Sequence, residues 1–247
     1  MYNSEIVGRG MTTTIYRDGG VAVKLYLNAR PENVYREADL QRFAYDAGLP
    51  VPAVRGVRVF GDGSVALDMD YIEGYPILGE DMNEGQIAES IRAMVKLQRR
   101  VHRIYAAGLP ELTENLERRI INADAKYIDG AQKVKLLALL SRLENNSDNL
   151  CHGDFHPLNI LFNGAGLWII DWVDATAGDP LADACRTYLI LKQHAPQISE
   201  LYLQQFNNET GAAREDVLAW LPVLAAVRLD EKQDEKSRSL LLDFIRD

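Results

Sequence analysis

The stretch Cys151–Phe162, CHGDFHPLNILF, places His152, Asp154, His156 and Asn159 within eight residues and then turns apolar. Its end, Ile160–Phe162, reads as a buried strand, and the part before it as a polar loop held at that strand's mouth. Loops of this composition on a rigid support are where proteins place chemistry. Just downstream, the turn NGAG (163–166) leads into a second apolar strand, LWIID (167–171). A hairpin of these two strands would bring Asp154, Asn159 and Asp171 to one end. Two carboxylates and an amide oxygen are hard ligands that suit Mg2+, with phosphate oxygens completing the shell.

Working outward, the first seventy residues are strand-rich. SEIVGRGMTTTIYR suggests two strands around a glycine turn, and Asp18-Gly19-Gly20 a second turn before the strand VAVKLYL. Gly8 and Gly10 lie between two strands, not between a strand and a helix, which excludes a dinucleotide fingerprint. A glycine hairpin can still lay backbone amides over phosphates. Lys24 sits in an apolar strand and needs a buried partner. The helix that follows, from Pro31 with Val34, Ala38, Leu40, Gln41 and Tyr45 near helical period and Gly48 ending it, offers Glu37. A strand lysine paired with a helix glutamate is positioned for phosphate oxygens.

Further strands fit residues 53–60 and 65–72, and the character changes after Glu73-Gly74. Helices are expected over 83–107, near 113–128 and over 131–144, then from Asp179 almost to the end, broken near Pro196, at NNETGA and at EKQD, with Pro222 starting or kinking one. The fold class is therefore α+β and bilobal. A small antiparallel β lobe with one main helix, residues 1–72, precedes a larger, mainly helical lobe, 73–247, that holds the polar loop; a ligand cleft is expected where they meet.

Bulk properties narrow the function. The 247 residues are 47% hydrophobic, so a substantial core is expected. Net charge is -9, which argues against a nucleic-acid or anionic-membrane partner. Two cysteines without a close pair, and four histidines, argue against a disulfide framework or a zinc site. The start, MYNSEIVGRG, lacks a signal-peptide pattern, and no stretch approaches the roughly 20 apolar residues of a membrane span. A cytoplasmic location is expected.

HGDFHPLNILF followed by IIDW resembles the catalytic signature of the aminoglycoside phosphotransferase family, which shares the protein-kinase-like fold. Gly8-x-Gly10-x-x-Thr13-x-Ile15, Ala22-x-Lys24, Glu37, GLPVP (48–52), MDYIEG (69–74) and GDPLADACRTYL (178–189) fall in the family's order, from about residue 5 to 245. The resemblance implies a Mg-ATP-dependent transfer of a phosphoryl group to a small-molecule hydroxyl, with GTP an open alternative. By that resemblance the first lobe would bind nucleotide, and the second would carry catalysis and substrate binding. It implies Asp154 as the base, and Asn159 and Asp171 as Mg2+ ligands. It implies Lys24 on the α- and β-phosphates with Glu37 fixing it, and Gly8, Gly10, Met11 and Thr12 over the phosphates. The backbone of Asp70 and Ile72 would read adenine, with Ile15 and Ala22 above it and Leu161 and Ile170 beneath. Thr13 departs from the pattern, replacing the loop's third glycine; Leu158 stands where a smaller residue is common.

The segment from Asp171 to Gly178 is too short to hold a peptide, so an aminoglycoside-like antibiotic, an amino-alcohol or a sugar is the expected acceptor. Antibiotic resistance would follow from the first. Asp174, Asp230, Glu231, Asp234 and Glu235 could bind an amine, or be solvated helix-end charges. His102, His152 and His156 read as structural supports, and Cys151 and Trp172 as packing. Two alternatives are a nucleotide-binding pseudokinase acting as a regulatory module, which the intact Lys24, Asp154, Asn159 and Asp171 set disfavours, and an atypical protein kinase.

Overall fold

The computed structural model describes residues 5–10, 13–143, 147–231 and 233–246. Met11 and Thr12 lie outside the described residues. The chain begins with β1 (Glu5–Arg9), β2 (Thr13–Asp18), β3 (Val21–Tyr26), α1 (Pro31–Asp46), β4 (Val54–Val59), β5 (Val65–Asp70) and a short β6 (Tyr75–Pro76). Helices α2 (Glu84–Val101), α3 (Leu112–Asn122) and α4 (Gly130–Leu143) follow. Then come β7 (Asn149–Cys151), a 3-10 turn (Pro157–Asn159), β8 (Ile160–Phe162), β9 (Leu167–Ile169) and β10 (Thr176–Gly178). Helices α5 (Pro180–His194), α6 (Pro196–Thr210), α7 (Arg214–Leu218), α8 (Leu221–Arg228) and α9 (Glu235–Arg246) complete it.

Two compact units result: Met1–Gly79 with Pro157–Asp174, and Glu80–His156 with Ala175–Asp247. Residues 157–174 group with the first unit because the β8–β9 hairpin pairs with β6 and hydrogen-bonds at Pro50. Tyr75 and Pro76 pair with Phe162 and Leu161. The Ile77 amide donates to the Ile160 carbonyl at 2.9 Å, and the Ile169 amide to the Pro50 carbonyl at 2.8 Å. Gly74 permits the approach: a Cβ there would lie 2.8 Å from the Phe162 carbonyl oxygen.

The first unit is built on an antiparallel sheet of order β1-β2-β3-β5-β4. Alternation along β3 puts Ala22, Lys24 and Tyr26 on one face, in register with Met69, Leu67 and Val65 of β5. Helix α1 covers that face, with Val34 and Ala38 packed against Tyr26, Val65 and Leu67. Pro31 starts α1, and Gly48, at φ +79°, allows the chain to leave it. Tyr45, expected on the buried stripe, is 48% exposed; Glu37 and Ala44 fill that stripe instead.

In the second unit, α5 is buried along nearly its whole length. Asp179 caps it, accepting from the Leu181 amide at 2.8 Å, and Pro180 starts it. Asn83 and Gln86 form a capping box at the start of α2. Helix α2 stops at Val101 and not near 107, because the chain turns to bridge β7: the Leu150 amide donates to the Ile104 carbonyl at 2.9 Å. Gly211, at φ +79°, ends α6, and Pro222 lies in the first turn of α8. Among the described residues, no helix is long and apolar enough to cross a membrane.

Candidate active site

The chemistry-bearing residues of the first unit gather around Lys24. Its Nζ lies 2.8 Å from Glu37 Oε1 and 2.9 Å from Asp171 Oδ1. The Lys24 and Glu37 side chains are only 10% and 2% exposed, so each charge depends on the other for its solvation. Burial works against the Lys24 ammonium, but Asp171 and Glu37 outweigh it and hold its pKa above the usual lysine range. The Tyr26 hydroxyl donates to Glu37 Oε2. Sequence reasoning missed Tyr26; the signal was its place two residues beyond Lys24, on the same face of the strand. Burial first, with Glu37 nearby, pushes the Tyr26 phenol up, so it stays a donor.

Asp171 is held by the hairpin. The Ile170 amide donates to the Asn159 carbonyl at 3.0 Å, which brings Asn159 and Asp171 to the same end of β8–β9. Asp171 adopts φ +66°, the one non-glycine in the left-handed region among the described residues. Such a conformation persists where its surroundings enforce it, and it tends to mark functional sites. Trp172, fully buried, donates its indole N–H to the Ile169 carbonyl at 3.3 Å and anchors that turn.

The remaining nucleotide-site candidates fall as follows. The Gly10 amide donates to the Thr13 carbonyl at 2.9 Å, closing the β1–β2 turn. A Cβ on Gly10 would lie 2.6 Å from Thr13 Oγ1, and one on Gly8 3.3 Å from Ile15 Cδ1. Ile15 pairs with Lys24 and Arg17 with Ala22, so Ile15, Ala22 and Lys24 share one sheet face. The Asp70 amide donates to the Ala53 carbonyl at 2.9 Å. Its carboxylate accepts from Arg55 Nε at 2.7 Å. Ile72, Leu161 and Ile170 are half-buried.

In the second unit the centre is Asp154, in the turn that follows β7. Gly153, at φ +80°, donates its amide to Asp183 Oδ1 at 2.7 Å, and Arg186 Nε donates to the Gly153 carbonyl. The Asp154 amide donates to His152 Nδ1 at 3.2 Å. His156 Nε2 lies 3.2 Å from Asp154 Oδ2, and Arg186 Nη2 3.9 Å from Asp154 Oδ1. Burial raises the Asp154 pKa, but the His156 hydrogen bond and charge, Arg186 and His152 outweigh it and hold the carboxyl well below the usual carboxylate range. It is ionised at neutral pH and able to accept a proton.

Asp183 supports this turn from beneath. Its Oδ2 accepts from Gln98 Nε2 at 3.0 Å and lies 2.8 Å from His102 Nε2. Burial opposes its ionisation, but His102, Gln98 and the Gly153 amide bring its pKa down to about 2. Asp183 and Arg186 stand in the GDPLADACRTYL segment, which offered no role for them individually. Because the folded pKa of Asp183 is depressed, its stabilisation is complete above the ordinary carboxylate range and is lost as pH falls towards about 2. Asp183→Asn is therefore expected to lower stability by about 3 kcal/mol at neutral pH. Urea unfolding should show that gap narrowing at about pH 3; an equal gap at both pH values would show that charge is not the cause.

The acidic residues expected to bind an amine have different surroundings. Glu231 accepts hydrogen bonds from Arg119 Nη2, Arg186 Nη2 and Arg228 Nη1 at 3.2, 3.1 and 2.6 Å. It is engaged by three guanidinium groups and is not the open carboxylate an amine requires. Asp234 accepts from the Ser237 amide at 2.7 Å, as a helix cap for α9. Glu235 is exposed in the first turn of α9, Asp230 is exposed before it, and Asp174 is exposed in the other unit. Cys151 and Cys185 are buried, and burial pushes both thiols up.

This fold is that of the kinase-like phosphotransferases. The chain belongs to the phosphotransferase enzyme family (APH), whose model matches residues 9–221. It is similar in fold to a thermostable mutant of aminoglycoside phosphotransferase APH(4)-Ia in ternary complex with ADP and hygromycin B, at TM-score 0.75 and 14% identity, covering 99% of this chain and 92% of that one. It is also similar to the aminoglycoside-3'-phosphotransferase of type VIII, at TM-score 0.64 and 19% identity, covering 98% and 93%. A third is APH(3'')-Id from Streptomyces rimosus ATCC10970 in complex with ADP and streptomycin, at TM-score 0.66 and 18% identity, covering 92% of each chain. No curated protein matches the sequence.

Proposed function

We propose that this phosphotransferase moves the γ-phosphoryl group of ATP to a hydroxyl of a small molecule, with Mg2+, in the cytoplasm. The observation that carries the reading is Lys24, buried and held between Glu37 and Asp171 at 2.8 and 2.9 Å. A buried lysine fixed by a helix glutamate is the arrangement that grips nucleotide phosphates. Gly8 and Gly10 cover those phosphates; Met11 and Thr12, assigned the same role by the family resemblance, lie outside the described residues. The backbone of Asp70 and Ile72 reads adenine, with Ile15, Ala22, Leu161 and Ile170 lining its slot. Asn159 and Asp171 are hard-oxygen donors at one end of a hairpin, and Mg2+ needs only one or two such groups besides phosphate and water. The ion supplies charge neutralisation at the phosphates.

Asp154 orients the acceptor hydroxyl and receives its proton. The acceptor oxygen forms a bond to the γ-phosphorus, and the bond from that phosphorus to the bridging oxygen of ADP breaks. His156 and Arg186 fix the Asp154 carboxylate, and Asp183 fixes the turn that carries it. The ADP complexes with hygromycin B and with streptomycin support a nucleotide donor and a small acceptor. The test is ADP release with ATP and Mg2+ against a panel of aminoglycosides, amino-alcohols, sugars and sugar acids. Release that depends on both Mg2+ and acceptor is expected. A chain that binds nucleotide but turns over nothing would favour the regulatory reading, and failure to bind nucleotide would overturn the proposal.

A further inference from the structure

Tyr26 touches both members of the buried Lys24–Glu37 pair. Its hydroxyl donates to Glu37 Oε2, while Lys24 Nζ donates to Glu37 Oε1 at 2.8 Å and lies 5.6 Å from the centroid of the Tyr26 ring. One carboxylate thus takes a donor on each oxygen, and both donors come from the same face of β3. The aromatic ring adds a further attraction for the ammonium. The sheet fixes the tyrosine in turn. Its backbone pairs with Thr13 on one side and Val65 on the other, and its ring packs with Val34, Ala38, Val65 and Leu67. Lys24 pairs with Ile15, so Tyr26 stands one same-face step beyond it, towards the glycine turn.

A lysine carries its charge on a flexible four-carbon stem, so what holds the ammonium decides where it rests. Asp171 is 37% exposed and can turn to water; Glu37 is 2% exposed and cannot. Glu37 is therefore the lasting support. Among the described residues, no side chain other than Lys24 and Tyr26 donates to it. Without the hydroxyl, Oε2 would be a buried ionic acceptor lacking a donor, and the carboxylate would be free to rotate towards its one remaining donor. Resting on the phosphotransferase reading above, we infer that Tyr26 is a positioning residue for phosphoryl transfer: its hydroxyl locks Glu37, Glu37 locks the Lys24 ammonium, and that lock sets how tightly the nucleotide phosphates are gripped.

The test is calorimetric titration of the intact protein with ADP and with adenosine, Mg2+ present. Adenosine shares the base and ribose of ADP and lacks the phosphates that Lys24 is proposed to grip. Tyr26→Phe keeps the ring and its packing and removes the hydroxyl alone. It is expected to weaken ADP about tenfold, the size of one charge-assisted hydrogen bond, and to leave adenosine within about twofold. A merely structural role would weaken both ligands alike or neither, and either result would overturn the inference. Glu37→Leu supplies the second arm. With no carboxylate to lock, adding Tyr26→Phe should cost ADP little more. A further tenfold loss there would show that the hydroxyl does not act through Glu37, and the inference would fall. If Tyr26→Phe alone does not fold, the double variant, which strands no carboxylate, is compared with Glu37→Leu on the same two outcomes. Wild-type protein that binds ADP no more tightly than adenosine would bring down the phosphotransferase reading and this one together. A clear preference for ADP that Tyr26→Phe leaves intact would bring down this one alone.

Discussion

Asp154→Asn is expected to lower kcat by about 10²- to 10⁴-fold, the range set by removing a positioned proton acceptor. The amide keeps the volume of the carboxylate and can still contact His156, so the turn should retain its shape. It cannot take a proton. Nucleotide affinity should be unchanged within a factor of a few, because the groups proposed to hold phosphate are Lys24, Asn159 and Asp171. Single-turnover measurement of ADP formation, together with nucleotide binding, separates the two effects. Turnover within a few-fold of the wild type would show that Asp154 is not the base. The pH dependence adds a second check. The Asp154 pKa is depressed by His156, Arg186 and His152 against the opposing effect of burial. The carboxylate is therefore ionised throughout the neutral range, and its own protonation should not depress activity between about pH 8 and 5. By the same sign, any stability it contributes is present above the ordinary carboxylate pKa and lost only as pH falls below it. His156→Ala, which removes the first of those hydrogen-bonding partners, should move the acidic limb of the activity profile upward.

Much of the first unit was legible because its signals are local. A lysine in an apolar strand demands a buried anion, and the next helix offered Glu37. The hairpin of two apolar strands around NGAG required only pairing to bring Asn159 beside Asp171. Strands β6, β7 and β10 were not visible, since two or three residues are too short for alternation to register. Pairing of β6 with β8 also groups residues 157–174 with the N-terminal unit, which no composition shift announces. Glu231 shows the sharper limit. Sequence displays the sign of a charge but not what neutralises it, and one of its partners, Arg119, is 112 residues away. Read alone, Glu231 suggested an amine ligand; in the structure it accepts from Arg119, Arg186 and Arg228. Asp183 was hidden similarly, since its partner Gln98 lies on α2 and its partner His102 caps that helix.

Lys24→Met should lower stability by about 3–5 kcal/mol in urea unfolding, and abolish most turnover. The stability loss follows from what is left behind. Glu37 is 2% exposed and would keep only the Tyr26 hydroxyl as its described partner, while Asp171, at 37% exposure, can turn to water. A double variant, Lys24→Met with Glu37→Leu, removes both buried charges at once. Burying an ion pair requires desolvating both members, so replacing the pair with apolar side chains of similar volume is commonly neutral or even stabilising. Unfolding stability is therefore expected to recover most of the way in the double variant, while turnover stays at the level of the single one. Recovery of both would show that the lysine serves only the fold, and that nucleotide phosphates are held elsewhere. Recovery of stability alone would separate the two roles. The sheet and α1 can pack without these charges, and what the pair adds is an ammonium fixed in a dry setting beside Asp171. Its only demand that an apolar core could not meet is an anionic ligand.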